Sequence, residues 1–163
     1  MLPGDRDLLR ETYEHLSEES RRRRFLAAVP RLTDAMLEHL VDEVDGIDHV
    51  ALLLVVIDDD HVGTPVGVAR MIRYEHEPTA ADVAVTVVDE WQGRGVATAL
   101  LAALVRARPR SVTHVVTTVE ADNDASLAML ARLGTMATTP FADNRVDVRV
   151  DLAPPEREER PGT

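Results

Sequence analysis

The sequence predicts a mixed α/β fold of the α+β kind, with a mostly antiparallel sheet flanked by helices. Three observations predict it. Apolar residues recur at helical spacing through about the first 41 positions, and from Asp48 the period changes to short runs rich in β-branched residues. The link between the first two of these runs, from Ile57 to Val66, is too short for a parallel crossover, so those strands form a hairpin. After the third run the order becomes helix, strand, helix, strand.

In chain order, Leu8, Leu9, Tyr13 and Leu16 mark an amphipathic helix over residues 5–16, and Ser17 followed by Glu18 and Glu19 starts a second one. The four arginines Arg21 to Arg24 read as the solvated face of that helix. Leu37, Leu40 and Val41 place a short helix over residues 33–41. Residues 50–57 form a buried strand, 58–63 a turn, and 66–74 the returning strand. A third strand covers 82–88 after a turn at 75–80. Val96, Ala97, Leu100, Leu101, Leu104 and Val105 share one face of a helix that Pro109 ends. Residues 112–119 are a strand, and 123–133 a helix with an Asx cap at Asn123 and a stop at Gly134. Residues 138–144 read as a loop and 146–152 as the last strand. Five strands are thus expected, in a single domain over residues 1–153 with a charged, disordered tail at 154–163.

The 163 residues can bury one substantial core, and 45% hydrophobic with 29% charged residues fits a globular chain. No apolar run reaches the roughly 18 residues that span a bilayer, and no signal-peptide pattern opens the chain. No membrane is therefore expected as partner, and a cytoplasmic location is the default. The net charge of −11 repels polyanions, which argues against nucleic acid and favours a cationic or amine-bearing partner. Zero cysteines exclude disulfides, thiolate zinc sites and a cysteine nucleophile. All 18 basic residues are arginine, so no P-loop lysine is available. No metal site is expected.

The run Trp91-Gln92-Gly93-Arg94-Gly95-Val96-Ala97 stands where a strand hands over to a helix. Small residues there let backbone N–H groups converge on an anion at the positive end of the helix, which suggests a phosphate-bearing ligand. A dinucleotide fold is disfavoured, although Glu120 lies at a strand end as a ribose-binding acid would. The third small residue of that fingerprint is replaced by Thr98, and four residues separate strand from glycine.

Gln92 to Ala97 instead matches a QxxGxA pattern and resembles the GNAT superfamily of acetyl-CoA-dependent N-acyltransferases. The likeness continues through the strand at 112–119, Asn123 and the helix ending Leu133-Gly134. A narrower likeness joins Leu16-Ser17-Glu18-Glu19-Ser20-Arg21-Arg22-Arg23-Arg24-Phe25 to Ala81-Asp82-Val83-Ala84-Val85 and Asp89-Glu90-Trp91-Gln92. Together these resemble the catalytic domain of bacterial Pat-type protein lysine acetyltransferases. That family opens with a strand before its first helix, whereas this chain opens Met1-Leu2-Pro3-Gly4, so the first edge strand is expected to be missing or truncated.

The resemblance implies acetyl-CoA as cosubstrate and a primary amine, that of a protein lysine, as acceptor. Backbone N–H groups of Gly93, Arg94, Gly95, Val96, Ala97 and Thr98 would cradle the pyrophosphate, and Gln92 would brace the loop. The strand at Val85, Thr86 and Val87 would splay from its neighbour and hold the pantetheine, with an N–H of Val87 or Val88 facing the thioester carbonyl. Asn123 would contact the pantetheine arm, cap its helix, or do both. A lysine amine at neutral pH starts about 4.6 kcal/mol short of deprotonation, at about 1.36 per pH unit. Asp82 aligns with the general base of Pat-type enzymes, and Glu120 and His114 are fallback bases. Leu130 stands where many relatives carry a tyrosine that protonates the leaving thiolate, and Thr135 replaces an aromatic. A small-molecule amine acceptor stays open, as does an acyl-CoA-binding regulatory module without turnover. Oligomeric state is unassigned.

Overall fold

Six strands form one sheet in the order β1-β2-β3-β4-β6-β5, antiparallel throughout except between β3 and β4. They are β1 (His49–Ile57), β2 (Gly63–Arg73), β3 (Ala80–Val87), β4 (His114–Glu120), β5 (Gly134–Phe141) and β6 (Arg145–Leu152). The structure is a computed structural model and describes residues 3–57, 59 and 63–154. The tail expected to be disordered falls outside these residues apart from Pro154, as does most of the turn expected at 58–63. Among the described residues no strand precedes His49, so β1 is one edge of the sheet.

Helices cover both faces. On one lie α4 (Val96–Arg106) and α5 (Asp124–Ala131), with Leu100, Leu101 and Leu104 packed against Ala69, Met71, Val83, Val115 and Val148. On the other lie α1 (Arg6–Glu14), α2 (Glu18–Phe25) and α3 (Asp34–Leu37), the last continued by a π turn at Glu38–Asp42. Leu9, Tyr13, Leu16, Leu37 and Val41 bury a second core there against Val68. Hydroxyl caps start two of these helices: Ser17 Oγ accepts from the Ser20 amide and Thr33 Oγ1 from the Met36 amide, each at 3.2 Å. Among the described residues no helix is long and apolar enough to cross a membrane.

The element order agrees with the sequence reading except at residues 134–141, where a loop gives way to β5. This strand sits at the second sheet edge with most residues exposed, so it carries no inside-outside alternation to reveal it. Gly134 accordingly does not stop α5 as a left-handed cap. It opens β5, pairing with Leu152, and a Cβ there would lie 2.0 Å from the Asp151 carbonyl oxygen. The β5–β6 turn uses Asp143 and Asn144, both at φ 59°, a conformation these side chains tolerate. β2 begins three residues before the expected start, because a register shift opposite Leu54 and Val55 accommodates Pro65.

The arginine run is the other departure. Rather than forming a solvated face, Arg21 donates to the Glu14 and Pro30 carbonyls at 3.1 Å each, and Arg22 pairs with Glu120. Helix α2 buries no residue fully and is held across the sheet by such polar links. Its C-terminal end is fixed by Arg145, which donates to the Leu26 carbonyl at 2.9 Å.

Candidate active site

β3 and β4 run parallel but pair only at Ala80–His114 and Ala81–Val115. Beyond that point the strands part. Thr117 Oγ1 donates to the Val83 carbonyl at 3.1 Å and bridges the base of the fork. Further up, the Val88 N–H donates to the Val66 carbonyl at 3.0 Å across β2, so Val88 is engaged in the sheet. Alternation then turns the N–H of Val87 into the opening. Of the two residues expected to face a thioester carbonyl, the geometry admits Val87.

The loop after β3 begins with a 3-10 turn at Asp89–Trp91 and ends at α4. Gly93 and Gly95 take φ 71° and 80°, which explains why glycine occupies both positions. The first amides of α4, on Val96, Ala97 and Thr98, have no acceptor within the helix and point out of its positive end. Gln92 braces the loop: its Nε2 donates to the Val87 carbonyl at 3.0 Å, to Ser20 Oγ at 3.2 Å and to Asp89 Oδ1 at 3.2 Å. The Ser17 amide also donates to Asp89 Oδ1, at 3.3 Å, joining α2 to the same loop. Burial raises the Asp89 carboxyl, but hydrogen bonds from Ser17 and Ser20 outweigh it and hold the group below its usual range.

Two cavities meet in the fork. The larger, about 620 Å³, is lined by Val85, Thr86, Val87, Gln92, Gly93, Gly95, Val96, Ala97, Thr98 and Asn123 among others. The smaller, about 360 Å³, is lined by Tyr74, Asp82, Val83, Glu120 and Leu130 among others. Both touch Arg23, Arg24, Val85, Asn123, Ser126 and Met129. Of the residues expected to hold cofactor or act as base on β3, the glycine loop and α5, Arg94 alone borders neither. Its guanidinium lies over the Trp91 ring, 5.0 Å from the centroid. Asn123 Oδ1 accepts from the Ser126 amide at 3.2 Å, so the capping role is present beside the cavity position.

Asp82 occupies the smaller cavity. Burial pushes its carboxyl above the usual carboxylate range, against the neighbouring Thr117 hydroxyl and the positive charge of Arg24. The fallback bases are otherwise engaged. Glu120 is clasped by Arg22, with Arg23 Nε 3.7 Å away. His114 is 4% exposed and sits between Thr113 Oγ1 and Glu77 Oε1, each at 3.2 Å. Leu130 is buried and borders the smaller cavity, so an apolar side chain stands there. Among the described residues no group of three or more His, Asp or Glu is placed to hold a metal ion.

The sequence reading overlooked Arg24, Tyr74 and Thr117. Arg24 lies within the Leu16 to Phe25 segment, and Thr117 within the strand expected over 112–119. Neither carries a local signal of facing a cavity, because that depends on which strand each meets.

Comparison with known proteins agrees with this geometry. The acetyltransferase (GNAT) family profile matches residues 8–135. Acetyltransferase Pat of Mycolicibacterium smegmatis is 37% identical over 135 residues, which are 82% of this chain and 39% of that protein. The chain thus spans well under half the length of that relative. The crystal structure of the GNAT domain of S. lividans PAT is 28% identical and superposes with a TM-score of 0.78, covering 93% of this chain and 88% of that one. The cAMP-binding acyltransferase from Mycobacterium smegmatis is 34% identical with a TM-score of 0.57, over 83% of this chain and 40% of that one. With the profile covering most of its residues, and the forked sheet and glycine loop in place, the chain belongs to the acetyltransferase (GNAT) family.

Proposed function

We propose that this chain transfers an acetyl group from acetyl-CoA to a primary amine, that of a protein lysine, by direct attack with Asp82 as general base. The observation that carries the reading is the meeting of two cavities at Val85. The larger runs to the loop Gln92 to Thr98, and the smaller holds Asp82. In this reading the pyrophosphate rests on the amides of Gly93 to Thr98, the pantetheine lies along Val85 to Val87 like an added strand, and Asn123 contacts it from α5. The Val87 N–H stabilises the oxyanion as the amine attacks.

The amine must shed a proton before attack, and Asp82 is the described carboxylate of the smaller cavity not already clasped by arginine. Its raised affinity for a proton suits it better than an exposed aspartate, and the short side chain acts through one water. The Pat-type likeness and the net charge of −11 support a lysine-bearing protein as acceptor over a neutral amine. Residues 1–153 act as one domain, and the working location is the cytoplasm.

One residue favours a second reading, an acyl-CoA-binding module without turnover. Leu130 leaves no side-chain acid where a departing thiolate would need one. Calorimetry with acetyl-CoA, followed by intact-mass measurement on candidate lysine proteins and small amines, separates the two. Binding with a gain of one acetyl mass on an acceptor is expected. Binding without transfer to any acceptor replaces the enzyme by the module, and no binding removes both.

A further inference from the structure

If acyl transfer is the activity, the reaction leaves one charge unaccounted for. Once Asp82 has taken the ammonium proton and passed it through water to solvent, the neutral amine nitrogen bonds to the thioester carbon and the C–S bond breaks; the electron pair goes to sulfur while the second amine proton goes to Asp82. The products at that instant are an amide, a protonated Asp82 and a coenzyme A thiolate. The thiolate forms where the two cavities join, beside apolar Val85 and Met129, and Leu130 can give it no proton.

Two cations border that junction, Arg23 and Arg24. Arg23 is committed: its NH2 pairs with Glu19 and its Nε lies 3.7 Å from Glu120. Arg22, next to it, pairs with Glu120 as well. Arg24 differs. Among the described residues it has no carboxylate within ion-pair distance, and its guanidinium lies against the Phe25 ring, 4.8 Å from the centroid. Arg24 also borders the two cavities that Arg70 lines, so it is shared by four cavities of the molecule. Burial lowers its proton affinity from the ordinary value, and the nearby Asp82 partly restores it.

We propose that Arg24 is a further catalytic residue, whose guanidinium at the junction of the two cavities stabilises the thiolate as the C–S bond breaks. This rests on the acyl-transfer reading above. An arginine cannot serve as the missing acid, since it keeps its proton, but a fixed positive charge beside the sulfur lowers the cost of a thiolate without transferring a proton. Protonated Asp82 or water then supplies the thiol proton after transfer.

The groups around Arg24 set the sign of the test. Arg23 lies on the same helix, His39 on the π turn, Asp82 on β3, Arg70 on β2, Tyr74 just after β2 and Glu120 on β4. Arg70 carries positive charge, Asp82 negative, and Glu120 is already neutralised by Arg22. Removing Arg24 should therefore raise the pKa of a bound thiol, and removing Asp82 should lower it.

The experiment is an ultraviolet titration of the thiol of coenzyme A bound to the protein, with desulfo-coenzyme A as blank and calorimetry to establish saturation. In the unaltered protein the bound thiol is expected to titrate at least about one pH unit below free coenzyme A. Arg24→Gln should return it to about the free value, Arg24→Lys should keep most of the depression, and Asp82→Asn should deepen it. A bound thiol that titrates like free coenzyme A in the unaltered protein overturns the proposal even where Arg24→Gln does not fold. Equal values in Arg24→Gln and the unaltered protein overturn it too. Failure of coenzyme A to bind at all brings down the acyl-transfer reading along with it.

Discussion

The side-chain amide of Gln92 donates to the Val87 carbonyl at 3.0 Å, tying the glycine loop to the last residue of β3. Because Val87 borders the larger cavity, the same contact sets the loop's distance from the strand that would hold pantetheine. Gln92→Ala should weaken coenzyme A binding by roughly 5-fold, since one net hydrogen bond is worth about 1 kcal/mol and three contacts share that amide. Gln92 is exposed, so the thermal midpoint should change little. Calorimetry beside a melting curve checks both.

Asp82 gives a pH signature. Its proton affinity is raised, so the base form is lost as pH falls through a value above the usual carboxylate range. The acid limb of kcat/KM should therefore lie above about pH 3.9, the unperturbed aspartate value. Asp82→Asn should remove that limb and lower kcat by about 10²-fold or more. An Asn variant with unchanged kcat would exclude Asp82 as the base.

The pair formed by His49 Nε2 and an Arg70 guanidinium N–H predicts how stability depends on pH. Both side chains are over nine-tenths buried, and burial, then the charge of Arg70, lowers the His49 pKa to about 4. The neutral ring accepts from Arg70, so protonating it costs the native state. The unfolded chain takes its proton near about pH 6.5, and the folded one does so only near about 4. Stability should fall progressively between those values, by about 3 kcal/mol at about 1.36 per unit. His49→Gln keeps an acceptor for Arg70 and does not titrate, so urea midpoints measured across this range should flatten.

Two glycines separate strain from collision. At Gly95 nothing lies within 4 Å of the place a Cβ would take, so Gly95→Ala meets only the φ of 80° and should cost about 1 kcal/mol. At Gly134 the added methyl would sit 2.0 Å from the Asp151 carbonyl oxygen. Gly134→Ala should therefore cost about 2–3 kcal/mol and loosen β5 from β6. Urea unfolding of the two variants should rank them in that order.

Much of the fold was legible because its signals are local. The spacing of Leu100, Leu101 and Leu104 is a helix period, and the short link after Ile57 requires a hairpin. The glycine loop was legible from Gly93 and Gly95 themselves, whose positive φ values are a property of the backbone at those positions alone. β5 was not legible, because an exposed edge strand bounded by Gly134 and Pro140 has no alternation, and those two residues mask the β-formers Thr135, Thr138, Thr139 and Phe141 between and beside them. Its pairing with β6 supplies what its own residues lack.

Sequence by itself determined the family, the glycine loop with its brace Gln92, and Asp82 as the candidate base. Tertiary structure alone decided that Val87 and not Val88 faces the fork, that Glu120 is spent on Arg22, and that Arg24 leaves the solvent for the cleft. The reason is range. A turn or a helix period is written within a few neighbouring residues, whereas the environment of a charged side chain is set by segments as far apart as α2, β3 and β4, which meet only when the sheet closes beneath them.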